Sequence, residues 1–451
     1  MKVRNSNGTL LGLSSFQVLA MFRRGLFYTF MSIYLHDYLG LKVTEMTLFA
    51  TLPMIVNVTF QVGVWGRVSD ATQLRRTLII VAEVVAALGT VVLWWAHTLA
   101  GGGRAAGYVL IAGLSVIEVF WSMSNVGWSA LISDRYSREE RTAVQAQLTS
   151  IGAVGRIVGV WIGGVLYDGL GMKYEGWGFR EGALFFVSSG AMLISTVPMF
   201  FVGEGGIAGH RAHDETRDET RDETTENAQP PAGAAPASPA APLRGGFVIF
   251  LIAMVFINFG RNAVSVIWGP FLALKSGFAL SSGSLSHVIN ARSITMIAGG
   301  VFFARRGVRT VASRALVAGT CIAVASLVVL ATAHRLWLVY LGSIMAGVSD
   351  VMIMASAYAL ASVLMPPERR GRLFAWYNAT SFLSWGLAGT LIAGPVIDSL
   401  VAAGAGEVFA YRMSFLSAAG VTLVGLAVLA LMMLGRKGGP AAVEVPGAED
   451  D

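Results

Sequence analysis

The sequence is short of charge and nearly without cysteine. Only 13% of its 451 residues are Asp, Glu, Lys or Arg, against about 25% in a soluble domain, so an ordinary soluble protein is excluded. The single cysteine, Cys321, rules out a disulfide framework or a cysteine metal cluster within the chain. It sits in an apolar run and is expected to be a small buried packing residue. No stretch reads G-x-x-x-x-G-K-[ST], which argues against ATP-driven chemistry. No His/Cys cluster has metal-ligand spacing, no Ser-His-Asp arrangement stands out, and the 53 glycines form no dinucleotide fingerprint. No catalytic residue, metal or cofactor is therefore expected, and the chain is not expected to be an enzyme. A removable signal peptide is not expected either, because Arg23 and Arg24 interrupt the long first apolar run.

What the sequence has in quantity is apolar length. Hydrophobic residues make up 55% of it, and crossing a bilayer takes about 20 largely apolar residues in a helix. Twelve such runs lie near 13–35, 46–67, 77–97, 107–133, 143–167, 180–203, 247–272, 283–304, 312–332, 336–364, 374–397 and 410–434. The expected fold class is an all-α membrane protein with twelve transmembrane helices in two six-helix bundles. The bundles would span 1–203 and 246–437, with a tail over 438–451. Between them, 204–245 carries DETR repeats and a Pro/Ala tract that cannot bury a core, which reads as a disordered linker.

Lys and Arg in the loops orient the spans. With both termini on one side, that side holds 21 of the 33 basic residues and the other holds 7. Both termini are therefore expected in the cytoplasm, with the chain multi-pass in the cytoplasmic membrane. The excess of Arg over Lys, 28 to 5, suggests a high-GC bacterial source. The net charge of +6 is spread over these loops and does not predict nucleic-acid binding.

The halves repeat. At an offset of 230, Gly159 matches Gly389, Gly164 matches Gly394 and Asp168 matches Asp398; at 237, FRRGLFYTF falls on FGRNAVSVI and Arg24 on Arg261. Two parallel six-helix halves joined by a linker is the layout of a two-bundle secondary transporter, with its site near the midplane. GRVSDATQLRR after the second span carries Gly66, Asp70, Arg75 and Arg76; GVFFARRGVR after the eighth carries Gly300, Arg305 and Arg309. On these two degenerate loops, in register and with twelve spans, the chain resembles the major facilitator superfamily. The resemblance implies that the loops act as a gate latch. An aspartate such as Asp70 can pair with arginines and helix N-termini in one state and release them in the other. Ala71 after the aspartate, a missing second glycine and Ala304 in the second copy depart from the family's pattern.

Charges inside spans cost about 2.5–3.5 kcal/mol each and normally face the bundle interior. Arg23, Arg24, Arg156, Arg261 and Arg292 outnumber Glu83, Glu118 and Asp350 by two. Arg24 with Tyr28, and Arg261 with Ser265 and Trp268, lie on faces that the pseudo-two-fold would bring together as an anion grip. Organophosphate and phosphate exchangers of the family resemble this arrangement, though nothing else in the sequence points to that branch. Arg156, Arg292 and Asn57 are further substrate contacts, whereas Arg23 points about 100° away from Arg24. Glu118 and Asp350 are expected to carry protons or to pair with the arginines. Glu118 stands where many relatives carry arginine, and Arg156 where the exchanger subgroup carries proline, which weakens a drug-exporter reading. The expected function is secondary transport of a small organic or phosphorylated anion, by a monomer in a lipid bilayer, with protons as a possible coupling ion. Two alternatives stay open: a proton-linked carrier of neutral or cationic compounds, and a sensor or lipid-moving relative.

Overall fold

The computed structural model describes residues 6–136, 138–172, 175–206, 245–306, 312–365 and 370–434. Most of the linker, Arg309 and the C-terminal tail lie outside them, as does the side chain of Arg305.

The described residues are almost wholly helical and contain no strand. The first helices are α1 (Ser6–Ile33), α2 (Val43–Phe60), α3 (Gly66–Thr72), α4 (Arg75–Leu99), α5 (Gly103–Arg135), α6 (Arg138–Tyr167), the short α7 (Trp177–Arg180) and α8 (Ala183–Met199). After the linker come α9 (Gly245–Ala263), α10 (Trp268–Ala273), α11 (Ser282–Arg306), α12 (Ala312–Thr332), α13 (Leu336–Leu364), α14 (Arg370–Ala388), α15 (Gly394–Ala402) and α16 (Glu407–Leu434). Wide π turns at Gln61–Trp65 and Gly389–Ala393 join α2 to α3 and α14 to α15 without breaking the rod.

Among the described residues, nine helical stretches are long and apolar enough to cross a membrane. Three further helices occupy the places of the other expected spans: α1, which carries Arg23 and Arg24, the shorter α8, and α11, which carries Arg292. The chain is a multi-pass membrane protein. Cys321, expected to be buried, is exposed on α12, where a thiol meets lipid as readily as any small apolar group.

The helices sort by contact into two sets. In the first, α1 packs on α6 and α8, and α4 and α2 pack on α5; in the second, α9 packs on α16 and α14, and α13 packs on α12 and α11. The glycines of α6 explain the tightest of these pairings. A Cβ on Gly155 would overlap the Val18 carbonyl of α1, one on Gly159 the Phe22 carbonyl, and one on Gly163 would crowd Leu26. Only hydrogen at these positions lets two backbones approach so closely.

The bonds that join the two sets lie toward the ends of the helices away from the linker. Asp398 of α15 accepts from the Val43 and Thr44 amides at the N-terminus of α2, at 3.0 and 2.9 Å. Asp168, just beyond α6, accepts from the Ser282 amide at the N-terminus of α11, at 3.3 Å, and from the Ser282 hydroxyl. These two carboxylates occupy matched positions in the repeat and make the same contact in opposite directions. Thr51 donates to the Gly386 carbonyl at 2.5 Å, and Asn290 donates to the Ile157 carbonyl at 3.1 Å. The sets are thus joined toward the ends away from the linker, with a cleft between them.

Candidate functional site: a charged cleft between the helix sets

Arg23 and Arg24 part company at the α1 surface. Arg23 is 3% exposed and lies over the Trp121 ring, 4.1 Å from its centroid. Among the described residues its Nη1 also meets the Met192 sulfur at 3.5 Å, and its Nε has no partner. Glu83, equally buried, receives a hydrogen bond from Ser124 at 2.9 Å and lies within electrostatic range of Arg23. That pair sits inside the first helix set. Arg24 is exposed and has no hydrogen-bond or ion-pair partner among the described residues. It acts electrostatically on Tyr28, Glu118 and Arg156, which places its guanidinium in the cleft.

Tyr28 is half-buried between two rings, its centroid 6.0 Å from Trp121 and 6.4 Å from Phe49. Glu118 makes no ion pair among the described residues. It accepts from Asn57 Nδ2 at 2.5 Å, and Asn57 Oδ1 in turn accepts from Gln61 Nε2 at 2.5 Å. Asn57, expected at substrate, is buried and spends its amide on this carboxylate. Arg156 is exposed, without a partner among the described residues, and within range of Arg24, Arg292 and Asp350.

On the other side Asp350 carries the site. Arg261 Nη1 reaches one of its oxygens at 2.5 Å, while Arg292 Nε and Nη2 reach the other at 2.9 and 2.6 Å. Arg261 is only 9% exposed and is further held by Asn258 at 3.2 Å, whereas Arg292 is 36% exposed. Arg24 therefore does not face a free Arg261 across the cleft. Of the two arginines on Asp350, Arg292 is the more exposed. Arg261, Arg292, Asp350, Trp268 and Ser343 line a small cavity of about 40 Å³. Trp268 meets Phe415 edge-on at 5.7 Å, and Ser265 closes on the Asn262 carbonyl at 2.7 Å, away from any ligand role in this state. Ser343, which sequence reasoning missed, is a buried hydroxyl with no partner. Nothing distinguishes it in sequence from the other serines of the spans.

The expected loop aspartate, Asp70, lies beside Arg75 at the junction of α3 and α4. Asp70 is 84% exposed and only 3.8 Å from Arg75 Nη2. Arg75 is buried, with Nη1 on the Ser69 carbonyl and hydroxyl and Nε on Asp134 at 3.3 Å. Arg76 pairs with Glu204 at 3.3 Å, and Glu204 also caps α4 through the Arg76 amide at 2.6 Å. Asp134 and Glu204 hold these arginines more closely than Asp70 does. Gly66 starts α3 within contact of the Gln61 carbonyl, and Gly300 of α11 faces open space.

Comparison with known proteins gives the class. The family model described as Major Facilitator Superfamily matches residues 13–390 and 250–449. The chain belongs to that superfamily and has its transporter fold. Among solved structures, it is similar to a D323A mutant of the nucleoside transporter NupG, with a TM-score of 0.69 at 13% identity over 94% of this chain and 99% of that one. A bacterial homologue of the human lysosomal transporter Spinster, inward-facing and unoccupied, gives 0.67 at 12% identity, covering 98% and 100%. A bacterial homologue of the iron transporter ferroportin, inward-facing, gives 0.65 at 13% identity over 96% and 99%. No curated protein matches the chain.

Proposed function

We propose that this protein is a secondary transporter that carries a small organic or phosphorylated anion across the cytoplasmic membrane by alternating access. The observation that supports this most is Arg24: a guanidinium in the middle of a span, exposed to the cleft, with no acidic partner among the described residues. A charge there is tolerated where water or a ligand solvates it. In this reading 1–203 and 246–437 rock about the cleft, joined by a cytoplasmic linker over 204–245, with both termini cytoplasmic and a bacterial inner membrane around a monomer. Arg24 and Arg156 hold the anion from one side and Arg292 from the other, with Tyr28, Trp268 and Asn57 shaping the space. Arg261 positions Asp350 and Arg292, and Ser265 supports Asn262. Glu118 and Asp350 balance charge when the site is empty, and Glu118 carries a proton when coupling demands one. The loops with Gly66, Asp70, Arg75 and Arg76, and with Gly300, Arg305 and Arg309, gate the linker end. The long, exposed Asp70–Arg75 pair suits a latch that closes and releases.

The locked Arg261–Asp350–Arg292 group favours a second reading, in which the second-half arginines only hold helices and the cargo is neutral or cationic. Thermal stability against a panel of phosphorylated and carboxylated compounds separates the two. A ligand at 100 times its Kd stabilises by about 2.7 kcal/mol. The expected result is stabilisation of the wild type by an anion and its loss in Arg24→Ala. Stabilisation by neutral compounds alone, equal in both proteins, would overturn the anion reading.

A further inference from the structure

Three guanidiniums meet at one level of the cleft. A Cβ on Gly25, next to Arg24, would run into the Arg156 carbonyl, so α1 and α6 are in contact there. One residue further along α6, the Ile157 carbonyl accepts from Asn290 of α11, and Arg292 lies two residues beyond. The oxygen of that amide, Asn290 Oδ1, is buried and has no partner among the described residues. Arg156 lies within electrostatic range of both Arg24 and Arg292. Two of the three have no acceptor among the described residues, and the third shares a single carboxylate with Arg261.

The charge count around the cleft does not close. Arg24, Arg156, Arg261 and Arg292 face Glu118 and Asp350, since Arg23 and Glu83 lie together inside the first helix set. With both carboxylates ionised, two positive charges are left over. A monoanion would leave one of them uncompensated in a water-poor site, whereas a dianion cancels both.

Resting on the anion-transporter reading, we infer that the cleft selects small dianions, phosphate monoesters or dicarboxylates, gripped jointly by Arg24, Arg156 and Arg292. Planar guanidinium forks from three helices suit an anion whose oxygens point in several directions. Because Arg292 belongs to the second helix set, the dianion bridges the sets, and a monoanion satisfied by Arg24 and Arg156 alone does not.

The test uses matched pairs on the intact purified protein by calorimetry. Ethyl phosphate and succinate serve as dianions, and diethyl phosphate and succinamate as their monoanionic counterparts. Each dianion is expected to bind about tenfold or more tightly than its counterpart, the step that one well-placed charge contributes. Between pH 5 and 7 ethyl phosphate should gain about tenfold as its second proton leaves, with a pKa of about 6, while diethyl phosphate stays constant. Arg292→Gln, which leaves the Arg261–Asp350 pair in place, should erase the difference between members of a pair. These wild-type comparisons stand even if a variant fails to fold. Equal binding within each pair would overturn the dianion inference and leave the anion reading intact. Binding of neither member by any pair, with neutral compounds bound, would overturn both.

Discussion

Arg23 and Arg24 are neighbours in sequence and opposites in environment. One guanidinium is stacked on Trp121 and sealed, the other is exposed in the cleft. The 100° step between them was legible in the sequence, and so was the assignment of Arg24 to the interior. The partner of Asp350 was less so. Spacing along one helix places a charge on a face, but only the packing of α9, α11 and α13 decides that Arg261 and Arg292 share one carboxylate. Asn57 illustrates the same limit: its amide meets Glu118 across α2 and α5, which no spacing announces. Asp37 lies just beyond α1, 3.9 Å from His36, and burial pushes its carboxyl up to about 6. Glu175 and Glu407 push the same way, and His36 and Lys275 oppose. The folded protein thus holds a proton that the unfolded chain releases above its ordinary value near 3.8. That contribution to stability is complete below the ordinary value and is lost as pH rises through about 6. Asp37→Asn is expected to flatten the fall in melting temperature between pH 4 and 7; an unchanged slope would assign it to another group.

Among the elements, α6 bears the most specific packing. The small-residue face of Gly152, Gly155, Gly159 and Gly163 receives α1. Gly159→Ala puts a methyl against the Phe22 backbone, which cannot move aside alone. The expected cost is about 1–3 kcal/mol, as for overpacked cores, measured by thermal unfolding in detergent. A melting curve equal to wild type would mean that α1 and α6 are further apart than described. The span boundaries were also largely legible: the runs near 312–332 and 336–364 coincide with α12 and α13. The π turns were not, because a five-residue widening leaves hydropathy unchanged. The further partners of the loop arginines were not legible either: besides the nearby Asp70, Arg75 meets Asp134, and Arg76 meets Glu204, both distant in sequence.

For the whole molecule, Asp168 and Asp398 set the state. Their match at an offset of 230 was visible as repetition, but its purpose appears only when each is found capping a helix of the other set. Capping carboxylates contribute about 1 kcal/mol each, enough to bias a two-state equilibrium about fivefold apiece. Asp168→Asn with Asp398→Asn should therefore widen the end away from the linker. Distance distributions between spin labels on α2 and α15 would show a longer component, and an unaltered distribution would remove the two carboxylates from the conformational balance. The wider claim is that the cleft's surplus positive charge moves an anion. The most direct measurement is counterflow of labelled succinate and ethyl phosphate in liposomes, wild type beside Arg24→Ala. Accumulation of label by the wild type, lost in the variant, is the expected result. Counterflow of neutral compounds that the variant retains, with no anion moved by either protein, would contradict it.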